Sequence, residues 1–331
     1  MPEIFEALPG IEVPVGEINQ RLSALWTETA TDGKPAPAAD DAKATQVNLV
    51  LHLGLNTTPE DAAAQFQVVG AFSRRYPSRI VVLCPIRGED KRSASDMRAK
   101  IYGECYLGKS KSDKRCVEFV MLSYPRVARP YLENQVSICL SADLPLYYWA
   151  HRFTETVRLA DYRHLLSRAK RVLLDSAIAP ADAPGYPWPN PKGLRDLVYS
   201  RLLPVRQTIG QFLASYPPAT LVDGLREVTI AHHPRLIAEA RALAGWFGRR
   251  LAACGAPTNL PFRTEALSGG ATPSFAVRFD YGTQARHFRW TGDLTTKQAI
   301  FEAELGGSRT RLPAGVSLLT PENALSEAMF F

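Results

Sequence analysis

No run of apolar residues in this chain approaches the roughly 18 needed to cross a bilayer, so no membrane association is expected. The opening stretch MPEIFEALPGIEVP has acids and prolines where a secretory signal has a basic and then an apolar region. A cytoplasmic location is the expectation. Cysteine is scarce: Cys84, Cys105, Cys116, Cys139 and Cys254 are odd in number and irregular in spacing. That disfavours a secreted disulfide framework, and the lack of any C-x-x-C pair disfavours a structural zinc site. No G-x-G-x-x-G follows a strand-like run, which removes the usual dinucleotide fingerprint. G-x-S-x-G and H-E-x-x-H are absent as well. Lys and Arg are spread out, with no basic block, zinc finger or RNP sequence, so nucleic acid is not an expected partner. Neither a catalytic set nor a cofactor or metal site is expected.

What is there suits a packed globular chain. The 331 residues are 46% hydrophobic and 22% charged, with a net charge of +6. That balance keeps the chain soluble and would steer it toward an acidic partner.

Residues 1–45 read as an N-terminal helical arm, VGEINQRLSALW, followed by a Pro-Ala-Asp linker over 31–43. Residues 46–255 alternate strand and helix signals. VNLVLHLG and SRIVVLCP are buried strands, and the segment between them carries helix punctuation: Thr58 to cap, Pro59 in the first turn, Glu60 and Asp61 at the positive end. DLPLYYWAH and RVLLDSA are further strands, and REVTIAHH over 226–233 is another. A helix capped near Thr154 is expected between the first two of these, and one distorted at Pro204 over about 193–215. Residues 256–331 alternate with Gly-containing turns and end in a short helix. The expected fold is therefore α/β. It has a mostly parallel Rossmann-like sheet with helices on both faces, an antiparallel hairpin near 96–124, and a small C-terminal antiparallel β unit.

The stretch GECYLGKS, Gly103 to Ser110, fits the spelling of a phosphate-binding P-loop. A P-loop needs a helix after it, to aim amides and the positive dipole end at phosphate. Here DMRAKIY alternates like a half-exposed strand, and RCVEFVMLSY follows almost at once. The match is expected to be a hairpin tip carrying Lys109, Lys111, Lys114 and Arg115, a basic loop that can contact an anion or an acidic partner. On such a hairpin Cys105 and Cys116 would face each other within disulfide range. Two readings stand: a reversible dithiol with a thiol-redox partner, or two half-buried thiols that fill space. The second is the commoner outcome. His52, His151, His164, His232, His233 and His287 have no nucleophile or metal-ligand spacing and are expected to be structural or solvent-facing. Asp143 and Asp175, near strand ends, are expected to order loops.

SRIVVLCP, CVEFVML, SADLPLYYW, RVLLDSA, DLVYSRLLPVR and AGWFGRRLA, in that order, resemble the OpcA-type glucose-6-phosphate dehydrogenase assembly proteins. The likeness covers about residues 75–252. It falls on Asp143, Pro145, Trp149, Asp175, Ser176, Arg201, Arg206 and Trp246. This chain has Ala150 where the family has the second of two tryptophans, Val205 within Pro-Trp-Arg, and Tyr199 where a tryptophan precedes the first Arg. The resemblance implies a non-catalytic accessory protein of the oxidative pentose phosphate pathway. Such a protein binds glucose-6-phosphate dehydrogenase, promotes its oligomeric form and tunes its activity, in some lineages with thiol redox state. A sugar-phosphate- or nucleotide-binding enzyme on the same sheet is the alternative.

Overall fold

The computed structural model describes residues 3–28, 45–87, 96–107, 114–267, 272–283 and 285–331. They fall into two compact units: Met1–Asp196 with Leu325–Phe331, and Leu197–Ala324. The expected divisions at 45 and 255 do not coincide with these.

The first unit contains, in order, β1 (Ile11–Val13), α1 (Ile18–Glu28), β2 (Val47–Leu53), α2 (Pro59–Ser73), β3 (Ser78–Pro85), β4 (Arg98–Leu107), β5 (Lys114–Tyr124), α3 (Arg129–Cys139), β6 (Leu146–His151), α4 (Arg163–Arg168), β7 (Arg171–Leu174) and β8 (Leu194–Asp196). The eight strands form one sheet in the order β1-β4-β5-β3-β2-β6-β7-β8. From β5 through β8 every neighbouring pair is parallel, while β4 runs antiparallel to β5 and to β1. Among the six parallel strands the order reverses between β2 and β6.

Strands buried on both faces need apolar residues at every position, and all seven residues of β2 are buried. One face packs Val50, Val81, Val120 and Tyr148 against Leu22, Leu132, Val136 and Leu165 of α1, α3 and α4. On the other face, Phe66 of α2 packs against Phe119 of β5 with ring centroids 4.3 Å apart and planes tilted by 31°. Phe330, near the chain's end, packs on Phe72 and Tyr147. Fully burying a phenylalanine such as Phe66, Phe72 or Phe119 is worth about 1.5–3 kcal/mol. Helix α2 begins as its punctuation demands: the Asp61 amide donates to Thr58 Oγ1 at 3.2 Å, and Pro59 sits in the first turn.

Three sequence expectations change here. The described part of residues 1–45 is no separate arm: Ile11 and Val13 pair with Ile101 and Ala99, and Ile18 and Leu22 are buried in the unit's core. Lys100 helps to hold this segment by donating to the carbonyls of Phe5 and Leu8. The linker 31–43 lies outside the described residues. The helix expected from Thr154 is a 3₁₀ segment, Thr156–Tyr162, that runs into α4. Its start is set by Asp182, which accepts from Thr156 Oγ1 at 2.8 Å. The helix expected over 193–215 is three elements: β8, then α5 (Leu197–Arg201) and α6 (Leu203–Leu213), with Pro204 in the first turn of α6. A missing N–H costs nothing there.

The second unit continues with α7 (Pro218–Val222), β9 (Glu227–His232), α8 (Ile237–Ala253), β10 (Phe262–Ala266), β11 (Ser274–Asp280), β12 (His287–Asp293), β13 (Gln298–Leu305), β14 (Ser308–Gly315) and α9 (Pro321–Phe330), whose last residues return to the first unit. Its sheet runs β10-β9-β11-β12-β13-β14. Strand β9 is parallel to β10 and antiparallel to β11. REVTIAHH therefore belongs to this sheet and not to the large one, and the β unit is larger than its expected 256–331. Alternate residues of β13, Ala299, Phe301, Ala303 and Leu305, are buried. Phe301 stacks on Phe212 of α6 at 4.3 Å and 9°. Leu243, Phe247 and Leu251 of α8 complete this core. Among the described residues no helix is long and apolar enough to cross a membrane.

Candidate functional site

Open α/β sheets bind ligands outside the carboxyl ends of their strands, where the strand order reverses. In the first unit that place lies between the ends of β2 and β6. It is filled by the chain itself. The Gly54 amide donates to the carbonyl of His151 at 2.6 Å. A Cβ on Gly54 would lie 2.2 Å from the Arg152 carbonyl oxygen, so only glycine permits this approach. Arg152 has φ +50°, a strained value for a side-chain-bearing residue.

Asp61, in the first turn of α2, faces the same place. Its Oδ2 accepts from His151 Nε2 at 2.7 Å and pairs with Arg152 Nε at 2.7 Å. Gln65 donates to its Oδ1 at 3.1 Å. Burial would raise the Asp61 pKa, but the His151 hydrogen bond, the Gln65 bond and the Arg152 charge outweigh it and hold the carboxyl at about 2. The positive end of α2, where a phosphate would bind, is therefore met by Glu60, Asp61 and the Thr58 cap.

Beside it lies a buried polar network that sequence reading missed. The His52 ring, 1% exposed, bridges two phenols: Nε2 meets Tyr124 Oη at 2.6 Å and Nδ1 meets Tyr148 Oη. Tyr124 in turn bonds Tyr162 Oη at 2.9 Å. Burial, with the Arg129 charge, drives the His52 pKa down to about 3. A neutral imidazole has one donor and one acceptor nitrogen, so the two phenols take opposite roles toward it. Burial pushes the Tyr124 and Tyr148 phenols well up and Tyr162 to about 12. The Cys84 thiol is also pushed up by burial, and Cys139 is raised to about 11 for the same reason. None of these shifted groups has a pKa suited to proton transfer or nucleophilic attack near neutral pH. The adjoining cavities are small: about 20 Å³ beside His52, and about 140 Å³ lined by Phe5, Thr57, Cys84, Arg87 and Ser123. Ligand pockets run about 300–1,000 Å³. Among the described residues no group of three or more His, Cys, Asp or Glu could hold a metal ion.

The hairpin resolves the P-loop spelling. Strands β4 and β5 pair antiparallel, and β5 resumes at Lys114, which leaves no room for a helix after Ser110. Cys105 stands opposite Cys116 in the register, with Cα atoms 4.1 Å apart, and the two are joined by a disulfide. Lys109 and Lys111 lie outside the described residues, and Lys114 and Arg115 are placed only as the first residues of β5.

The other singled-out residues are dispersed. Asp143 and Pro145 are exposed ahead of β6, at the amino end of the parallel strands. Asn48 ties that turn by donating to the carbonyls of Ser141 and Leu144. Trp149 is buried in β6 with its ring edge-on to His151 at 5.7 Å. Asp175 and Ser176 follow β7: Asp175 accepts from the Ala177 amide, and Ser176 donates through its amide and its hydroxyl to Asp196. Both order loops.

Arg201, Arg206 and Trp246 belong to the second unit. Arg201 Nε donates to Glu239 Oε1 at 2.8 Å. The Arg206 guanidinium stacks 3.7 Å above the Tyr199 ring and donates to the Tyr199 carbonyl at 3.2 Å. Arg206 and Trp246 line a groove of about 700 Å³ between α6 and α8, the roomiest concavity described above and mostly apolar.

No family model and no curated protein matches the chain. Among solved structures it is similar to the crystal structure of a probable oxidoreductase, at 9% identity over 85% of this chain and 94% of that one, with a TM-score of 0.35. At that distance the likeness decides neither family nor activity.

Proposed function

We propose that this chain is a non-catalytic accessory protein that binds glucose-6-phosphate dehydrogenase, promotes its oligomeric form and activates it. The observation that carries the reading is the filled crevice between β2 and β6. The parallel part of the sheet runs β5-β3-β2-β6-β7-β8. Gly54, Arg152 and the Asp61–His151 pair occupy the crevice where its order reverses, the place where an open α/β sheet would hold a ligand. The acidic first turn of α2 repels phosphate. The motif resemblance over residues 75–252 supplies the partner. The net charge of +6 favours an acidic one. Activation requires only that the accessory protein bind the active state of the enzyme better than the inactive one.

One observation favours the alternative, a sugar-phosphate- or nucleotide-binding enzyme: the strand order itself, since that sheet commonly carries such chemistry. A thermal-shift titration with ATP, NADP and glucose 6-phosphate separates the two. The accessory reading expects no shift from any of them, together with co-elution with the dehydrogenase and a changed KM or subunit mass. A saturable shift with one of these ligands, and no association with the dehydrogenase, favours the alternative.

A further inference from the structure

The groove between α6 and α8 has a shape and charge that the fold alone does not require. On α6 and its C-cap it is lined by Leu203, Gln207, Gly210 and Ala214, spaced four, three and four residues apart, which is one continuous helical stripe. From Leu203 to Ala214 the stripe takes eleven steps of 1.5 Å, about 16 Å or three turns. On α8 and its C-cap the facing residues are Trp246, Arg250 and Cys254, four residues apart. A groove walled by two helices is the kind of surface that can receive a third helix.

The floor is kept open by small residues. Gly210 lies inside α6, where its φ is ordinary, and glycine there is less favourable than alanine. A Cβ at 210 would meet only the Trp246 ring, at 3.7 Å, an ordinary contact. Nothing in the packing of this unit therefore demands glycine at 210. What glycine leaves is room above Trp246.

Charge identifies the occupant. The lining contains Arg206 and Arg250 and no carboxylate. Arg250 is exposed at the rim and makes no ion pair with a described residue. Arg206 is buried against Tyr199, so the exposed charge at the rim is the Arg250 guanidinium. An apolar trough with that one charge at its edge is complementary to a helix with an apolar face and an Asp or Glu beside it.

We infer that this groove is the docking surface for an amphipathic, acidic helix of a partner protein, with apolar side chains seated over Gly210 and Trp246 and a carboxylate paired with Arg250. The inference deepens the accessory-protein reading and rests on it.

The test uses the full chain and glucose-6-phosphate dehydrogenase, with the dissociation constant read by surface plasmon resonance or sedimentation. Gly210→Leu fills the trough, and Arg250→Glu reverses the rim charge. Each is expected to weaken binding at least about tenfold while far-UV circular dichroism and the melting temperature hold. Should Gly210→Leu fail to fold, Arg250→Glu on the exposed rim carries the test. Wild-type binding that both variants retain overturns the groove assignment alone. Wild-type protein that does not bind at all overturns the accessory reading, and the groove with it. A parallel titration with decanoate closes the remaining route. If decanoate raises the melting temperature of wild type but not of Gly210→Leu, while both variants keep their affinity for the dehydrogenase, the groove is a lipid site and the proposal falls.

Discussion

Asp61, in the crevice of the first unit, is met by His151, Arg152 and Gln65, whereas Arg250, at the groove of the second, is met by no described carboxylate. The same contrast holds for glycine. Gly54 is glycine because two backbones touch across it, and Gly210 is glycine where a methyl group would fit. Charge and volume in the first place are consumed by the fold. In the second they are left over. The concave place at the expected end of the parallel sheet is therefore closed by its own chain, while the groove away from it stays open.

The pair of glycines gives the sharpest way to break this comparison. Gly54→Ala is expected to cost about 4 kcal/mol or more, because a backbone carbonyl and not a flexible side chain stands in the way. Urea unfolding reads it, and a tolerated alanine would mean that the crevice is not closed.

Next in size is the acid response of the first unit. Burial lowers the His52 pKa in the folded protein to about 3 from the ordinary 6.5 of an imidazole. A depressed value contributes stability that is fully present above pH 6.5 and is lost as pH falls toward 3, because the unfolded state takes up the proton first. The Asp61 contribution has the same sign, present above the ordinary carboxyl value of 3.8 and lost as pH falls through about 2. Melting followed from pH 7 to pH 4 should fall steadily. His52→Gln should give a lower but flatter profile, and parallel profiles would contradict the buried neutral ring.

Reduction of the Cys105–Cys116 bridge should come third. Closing a loop of this size stabilises by about 3 kcal/mol in the chain-entropy account. Dithiothreitol should lower the melting temperature of wild type and leave a Cys105→Ser/Cys116→Ser protein unchanged. Equal sensitivity of both proteins would remove the bridge from the account.

The smallest effect completes the glycine pair. Gly210→Ala should be neutral or stabilising by about 0.5–1 kcal/mol, because alanine is the better helix former and the site has room. A loss comparable to that of Gly54→Ala would erase the distinction between the two sites.

Local features were legible in the sequence where the cause is local. Thr58-Pro59-Glu60-Asp61 announces α2, and the alternation around Gly103 announces a hairpin that excludes a P-loop and sets Cys105 against Cys116. What failed depended on distant partners. REVTIAHH reads like one more strand of the large sheet, and only its pairing with β10 and β11 assigns it to the second. The start of the segment before α4 is set by Asp182, 26 residues beyond Thr156. His52 is visible in the sequence, but its two phenols are 72 and 96 residues away. Of the groove, Arg206 and Trp246 were singled out through family likeness and Arg250 lies within the quoted AGWFGRRLA, while Gly210 carries no signal until α6 and α8 are brought side by side.

The most direct test is reconstitution of the purified chain with glucose-6-phosphate dehydrogenase, with enzyme activity and sedimentation mass read from the same sample. The account predicts a complex of higher mass and a changed KM or maximal rate. An unchanged mass and unchanged kinetics at micromolar excess would contradict it.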